Sequence, residues 1–248
     1  MKLRVLSYNI HKGFDWNNRN YFLREIKELI SATEADLVFL QEVIGENKEY
    51  RESGLIDSQF EFLADSMWQH FAYAKNAVYD HGHHGNLILS KYPITGWENM
   101  DVSTNRFEKR GLLISQIEIP GFHTEKFYAV CAHLDLLQRG RSLQYQMIKG
   151  KLESLNIADD TPLIVAGDFN DWNKQATRTF EDELGMKEAY RGLNKQFAKT
   201  FPAGMPLLTL DRIYVKNLNV VESRIWRSPT GQHFSDHLPL FCEVESAH

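Results

Sequence analysis

Pro162-Leu163-Ile164-Val165-Ala166-Gly167-Asp168-Phe169-Asn170 is an apolar run that stops in a glycine turn carrying one carboxylate and one carboxamide. A short apolar run rich in branched residues and closed by a turn reads as a buried strand. Its ending presents oxygen atoms at the edge of a sheet. Two more strands end in the same manner: Leu37-Val38-Phe39-Leu40 runs into Gln41-Glu42, and Leu3 to Tyr8 runs into Asn9. Phe234-Ser235-Asp236-His237 adds a carboxylate beside an imidazole, ahead of a last strand from Leu238 to Val244. Oxygen-bearing side chains delivered together by several strand ends are what a hard divalent cation and a phosphate need. The set implies a metal-dependent hydrolase.

Working outward, short β runs alternate with a few amphipathic helices. Further strands are expected at Asn86 to Ser90, Leu112 to Ile119, Lys126 to Ala132, Arg212 to Val215 and Val220 to Trp226. Phe22, Leu23, Ile26, Leu29 and Ile30 recur at helical spacing, as do Leu143, Met147, Ile148, Leu152 and Leu155, so each stretch predicts a helix with one apolar face laid on a sheet. Many strands and few helices imply two packed sheets flanked by helices. No repeat, low-complexity tract or linker divides the chain, and residues 1–248 are expected to form one domain. The longest irregular regions, where function tends to sit, are Gly13 to Asn20, Tyr79 to Gly85, Asn99 to Gly111 and Arg191 to Thr209.

Composition narrows the functional classes. A net charge of −5 and a pI near 6.1 argue against bulk nucleic acid as a whole-surface partner, though a local basic patch stays open. Cys131 and Cys242 lie in apolar strand-like runs without metal-type spacing, which reads as buried reduced thiols and fits a cytoplasmic setting. Met1-Lys2 passes directly into strand residues, and nowhere do about 18 apolar residues run together, so neither a signal peptide nor a membrane span is expected.

Ser7-Tyr8-Asn9, Leu40-Gln41-Glu42-Val43, Ala132-His133-Leu134, Gly167-Asp168-Phe169-Asn170 and Ser235-Asp236-His237, in this order and spacing, resemble the endonuclease/exonuclease/phosphatase (DNase I-like) superfamily over essentially the whole chain. Each motif is weak by itself; five in order are specific. The fuller strings Tyr8-Asn9-Ile10-His11-Lys12-Gly13, Gly82-His83-His84-Gly85-Asn86 and Asp168-Phe169-Asn170-Asp171-Trp172 look like a bacterial subgroup whose enterobacterial members lie beside a cardiolipin synthase gene. The resemblance implies an α/β fold, a four-layer α/β/β/α sandwich, with the site at one edge.

It also implies roles. Glu42 is the principal metal carboxylate, Asp236 belongs to the metal side, and Asn9 supports the metal or the scissile phosphate. The oxygen-only set suits Mg²⁺ or Mn²⁺ better than Zn²⁺. Asp168 and Asn170 orient the attacking water and bind a phosphoryl oxygen. His237 is the expected general base, because an imidazole titrates near neutrality, and Asp211 is the carboxylate that orients it. Without that context, Asp211-Arg212 reads as a surface ion pair. His133 follows a strand where abasic-site endonucleases usually carry tyrosine, and a second imidazole can stabilise charge on phosphorus or protonate the leaving oxygen.

Weaker features surround this set. His84 and Asn86 are expected to line the groove or touch substrate, and Arg110, near Arg106 and Lys109, to bind a neighbouring phosphate. His81, His83 and His84 match no standard zinc spacing and read as a polar loop. Trp172 and Trp16 are either pocket walls or buried packing residues. The stretch from Arg191 to Thr209 mixes Phe197, Phe201, Met205, Leu207 and Leu208 with Lys195 and Lys199, which suits lipid contact, base stacking or plain packing. The expected activity is metal-assisted water attack on a phosphodiester, with a lipid or small-molecule phosphoester favoured as substrate and peripheral membrane contact left open. The alternatives are a DNase-type nuclease acting on DNA or RNA and a catalytically silent binding module. A binding module has no need of two imidazoles and four carboxylates in one set.

Overall fold

Alternate residues of the central strands feed two different cores, and this explains why those strands are apolar along their whole length. In a computed structural model describing residues 1–56, 58–64, 67–106, 108–122 and 126–247, the first sheet contains β1 (Lys2–Asn9), β2 (Leu37–Asn47), β3 (His70–Tyr79), β4 (Gly82–Ser90), β11 (Leu218–Ile225) and β12 (Leu240–Ser246). Its order is β11-β12-β1-β2-β4-β3. The second sheet contains β5 (Ile94–Asp101), β6 (Gly111–Ile117), β7 (Phe127–His133), β8 (Leu163–Asp168), β9 (Lys187–Glu188) and β10 (Asp211–Lys216). Its order is β5-β6-β7-β8-β10-β9.

Leu3, Val5, Leu37 and Phe39 from one sheet meet Ala129, Cys131, Ile164 and Ala166 from the other in the core between them. Leu6, Tyr8, Val38 and Leu40 face outward, where α1 (Leu23–Ser31) covers them with Leu23, Ile26, Leu29 and Ile30. Val130, Leu163 and Val165 face the opposite outer layer, where α2 (Gln138–Ser154) contributes Tyr145, Ile148 and Leu152. A strand with both faces covered gains no stability from a polar residue on either. The expected four-layer α/β/β/α sandwich is the observed fold.

Each sheet has one parallel pair at its centre, β1 with β2 and β7 with β8. Parallel neighbours need a crossover, and α1 and α2 are those crossovers. Both pairs end at the same end of the sandwich, and their registers assemble the site: Asn9 lies opposite Gln41, His133 opposite Asp168, and Asp211 opposite Asp168 on the antiparallel side.

Several elements differ from the sequence reading. The strands β3 and β5 were not expected, and β2 runs on to Asn47 where the reading stopped it at Gln41. The stretch 79–85, expected as an irregular loop, is a β3–β4 hairpin in which Gly82 already pairs with Tyr79 and Asn47. The histidines there accordingly alternate in side: His83 is buried against the Tyr73 hydroxyl at 3.1 Å, and His84 faces the other way, toward the ring of Tyr79. That alternation explains why they form no metal cluster. Among the described residues no helix is long and apolar enough to cross a membrane.

Candidate active site

Glu42 reaches the site through a backbone irregularity. Between Leu40 and Val43 the β2–β4 register shifts, and Glu42 adopts a positive φ of 58°. A bulge re-aims a side chain out of the ordinary alternation. Gln41 consequently stays in the core, its amide on the Phe39 carbonyl at 3.1 Å, and Glu42 turns to the cleft. Burial pushes its carboxyl up, but His133, Lys12, His11 and the Asn9 amide together bring it down to about 2. His133 itself is held neutral, and Lys12 stands nearest as a full positive charge, 3.5 Å from the Glu42 carboxylate. Asn9 donates its amide to Glu42 at 3.3 Å and Asp168 at 3.1 Å while its oxygen accepts from the His11 backbone N–H at 3.0 Å. It aligns two carboxylates.

Asp168 ends β8 after Gly167, whose φ of 148° and absent side chain let β8 lie against β7; a Cβ there would sit 1.9 Å from the Ala132 carbonyl oxygen. One Asp168 oxygen accepts the Asn170 backbone N–H at 2.9 Å, and Asn170 ties the turn to the Leu134 carbonyl at 3.0 Å. The other lies 3.6 Å from His133 Nε2 and 3.7 Å from His237 Nε2. Both separations are long for a direct hydrogen bond and short enough for one water to touch both atoms. Burial and the neighbouring Asp211 raise the Asp168 carboxyl to about 6, against the opposing pull of His237.

His237 Nδ1 lies 2.9 Å from Asp211 Oδ2, the pairing expected from the sequence, and Thr200 donates its hydroxyl to the same oxygen. The turn that carries His237 is pinned by Ser235, whose hydroxyl donates to the Asn9 carbonyl at 2.8 Å. Burial lowers this imidazole, yet Asp211 and Asp168 outweigh it and raise it to about 10. Asp168, Asp211 and His237 form a buried group whose ligand-type atoms all fall within 4.8 Å of one another. Asp236 stands at its open side, 3.9 Å from His11 Nδ1.

Arg110 faces His133 Nδ1 at 3.5 Å and is braced by Glu108. A guanidinium only donates, so this nitrogen is the acceptor and the His133 proton sits on Nε2, facing Asp168. Burial, then Arg110, keeps His133 well below the ordinary imidazole value. His84 lies in the same electrostatic neighbourhood and falls to about 4, first through burial, then through Lys12. Asn86 is fully buried and donates to the Gly111 and Cys131 carbonyls at 2.9 and 3.2 Å. It braces one sheet against the other, so the expected contact with substrate has no exposed atom of Asn86 to make it.

Asp211-Arg212 is not a surface ion pair. Consecutive strand residues point to opposite faces. Asp211 enters the site, while Arg212, fully buried, lies 3.7 Å from Asp171 Oδ2 and donates to the Asp171 carbonyl at 3.0 Å. Trp172 next to it stacks on the Arg141 guanidinium at 4.2 Å and stays partly exposed. Across the cleft a cavity of about 470 Å³, lined by Trp16, Phe201, Met205, His233 and Asp236, opens beside the site, with the Phe201 ring 5.1 Å from that of His237. Sequence reasoning gave no role to Lys12, Thr200, Asp171 or Glu108. Lys12 and Asp171 stood inside quoted motifs; Thr200 carries no local signal because its partner lies in another element, and Glu108, two residues before Arg110, reads as one more solvated charge of a polar loop.

The fold and this residue set define a phosphoester hydrolase. The chain belongs to the Endonuclease/Exonuclease/phosphatase family, whose sequence profile matches residues 6–237. It is 42% identical over 244 residues to the uncharacterized protein YbhP of Escherichia coli K12, covering 97% of this chain and 95% of that one. An endonuclease/exonuclease/phosphatase from Beutenbergia cavernae has the same fold, with a TM-score of 0.81 at 18% identity, covering 99% of this chain and 72% of that one. So does the human Nocturnin catalytic domain with a bound sulfate anion, with a TM-score of 0.76 at 21% identity and coverage of 99% and 94%.

Proposed function

We propose that the chain hydrolyses a phosphodiester of a lipid or small molecule by direct water attack on phosphorus. The observation that carries the chemistry is Asp168, flanked by His133 and His237 at 3.6 and 3.7 Å with Asp211 behind His237. A water between Asp168 and His237 touches a carboxylate oxygen and an imidazole nitrogen at once. As it attacks, its proton passes to this pair. Neutral His237 was expected as the base; Asp211 and Asp168 favour its protonated form, so in this reading Asp168 is the acceptor of the pair. Asp211 and Thr200 hold the imidazolium in place. Asn170 presents its side chain beside the same turn, and His133, with its proton on Nε2, donates to a phosphoryl or leaving oxygen.

Glu42 and Asp236 are the residues that would hold a divalent cation, with Asn9 aligning Glu42. Their fit rests on donor chemistry: the carboxylates are hard oxygen donors, Glu42 is ionised at any physiological pH, and no thiolate lies at hand, which suits Mg²⁺ or Mn²⁺. A cation there supplies charge stabilisation to the phosphoryl and leaving oxygens.

The apolar lining of the cavity beside Asp236 supports an apolar organic substituent over a second phosphate. The nuclease reading draws on Arg110 and the half-exposed Trp172, and it remains the second one. The two free buried thiols fit the cytoplasm as compartment. A panel of aryl phosphodiester, aryl phosphomonoester, DNA, RNA and phospholipids under Mg²⁺ or Mn²⁺, each with an EDTA control, tests the reading. Chelator-sensitive cleavage of the diester and a lipid is expected, and efficient plasmid cleavage at low enzyme would replace it with the nuclease.

A further inference from the structure

Four segments stand at the catalytic end of the sandwich beside those that carry Arg110 and His237: 14–22 after β1, 134–139 after β7, 169–176 after β8 and 195–210 before β10. Each packs apolar residues inward, among them Leu134, Phe169, Ala198 and Leu210. Each segment also holds large apolar side chains out in solvent. Trp16 is 72% exposed, Leu137 71% and Met205 65%, and Leu136, Trp172 and Leu207 are exposed as well. Scattered exposed leucines are ordinary, but a group of them around one mouth marks an interaction surface.

Charge supplies the second observation. The carboxylates of these four segments, Asp15, Asp135 and Asp171, are all buried, and 195–210 has none. Every exposed charge on them is positive: Arg19, Arg139, Lys174, Lys195 and Lys199. This holds in a chain whose net charge is −5.

We propose that this end of the molecule is a docking surface for an anionic lipid bilayer. The apolar side chains enter the interface, the surrounding Arg and Lys meet lipid phosphates, and the site faces the membrane. Apolar anchors combined with basic residues are the combination that holds a protein at such an interface. Single-stranded nucleic acid fits the same surface less well, since it is gripped through aromatic platforms and Leu136, Leu137, Met205 and Leu207 offer bases nothing to stack on. The proposal rests on reading the site as a phosphoester hydrolase and adds where its substrate is met.

Vesicle flotation in EDTA reads docking without metal or turnover. Vesicles mixing phosphatidylglycerol with phosphatidylcholine should bind the protein at least about tenfold better than phosphatidylcholine alone, with binding falling as salt rises. Leu137→Glu and Leu207→Glu should each lower binding to the anionic vesicles about fivefold or more. Both should keep the wild-type melting temperature and hydrolysis of a soluble aryl phosphodiester. Trp97→Glu, on the exposed outer strand β5, should change nothing. Equal binding of the wild type to both vesicles, no binding to either, or unchanged binding of both Glu variants would overturn the proposal. So would single-stranded DNA binding that these substitutions abolish in a protein that ignores vesicles. Absence of hydrolysis on every phosphoester with vesicle binding intact would instead sink the catalytic reading alone.

Discussion

Asp168 and His237 sit 3.7 Å apart and both titrate above their ordinary values, the acid raised to about 6 by burial and Asp211 and the imidazole to about 10 by Asp211 and Asp168. An imidazole whose folded value lies above its unfolded value stabilises the fold fully below about 6.5, and loses that contribution as pH rises toward 10. The metal-free protein should therefore show the His237 ring still protonated at pH 8 when its carbon-bound protons are followed by NMR. In Asp211→Asn the nearer counter-charge is gone, so the ring should titrate at markedly lower pH. A His237 ring that is neutral at pH 8 in the wild type would contradict the assignment. In catalysis, His237→Ala and Asp168→Asn should each lower kcat by ~10² or more, the usual scale for an acid–base group; near wild-type turnover in either would remove that residue from the mechanism. The sequence already exposed Asp168 and His237, which stand in distinct motifs beside strands, whereas Asp211 came only with the family resemblance, since Asp211-Arg212 by itself reads as a surface ion pair. It could not expose Lys12 at Glu42 or Glu108 at Arg110, because a lysine or glutamate in a loop looks alike whether it is solvated or directed at a partner.

At the scale of elements, β8 and β10 are joined beneath the site by the buried pair Asp171–Arg212, on whose guanidinium the Phe197 ring lies at 4.3 Å. Asp171 also accepts the Gln175 and Ala176 backbone N–H groups at 2.9 and 3.1 Å, starting the turn that follows. Breaking a buried pair leaves one charge without compensation, at a cost of about 3–5 kcal/mol. Asp171→Ala should lose that much in denaturant melts, and Asp171→Asn less, because its amide oxygen still accepts one N–H. Equal, small losses in both would show that the carbonyls on Arg212 already satisfy it. The central strands were legible for the reason given by their burial: apolar on both faces, they form uninterrupted runs. The strand β3 was not, since Ala72 and Ala74 on its inner face are too small to mark a core strand and His70, Lys75 and Asn76 interrupt the apolar run of Phe71 and Tyr73, and β5 is an outer strand with Gly96, Glu98 and Asn99 in it. Outer strands are placed by pairing with a neighbour, which no local pattern records.

Over the whole molecule, Glu42, Asp168, Asp211 and Asp236 converge at one end of the sandwich, where Lys12 faces Glu42 and His237 lies against Asp211 and Asp168. A divalent cation that binds the folded chain and not the unfolded one stabilises it by mass action, about 2.7 kcal/mol at a hundred times its Kd. For a chain of this length each kcal/mol moves the melting temperature by roughly 2–4 °C. Mg²⁺ or Mn²⁺ at that excess should thus raise the melting temperature by about 5–11 °C, reversibly in EDTA. Glu42→Gln should remove most of the rise, because an amide is a weaker ligand than an ionised carboxylate, while its own metal-free melt stays near that of the wild type at neutral pH. The measurement needs no substrate, so it separates cation binding from turnover. A rise of the same size in Glu42→Gln would move the cation away from Glu42, toward the buried group of Asp168, Asp211 and His237, and the proton relay assigned to those three would have to be given up.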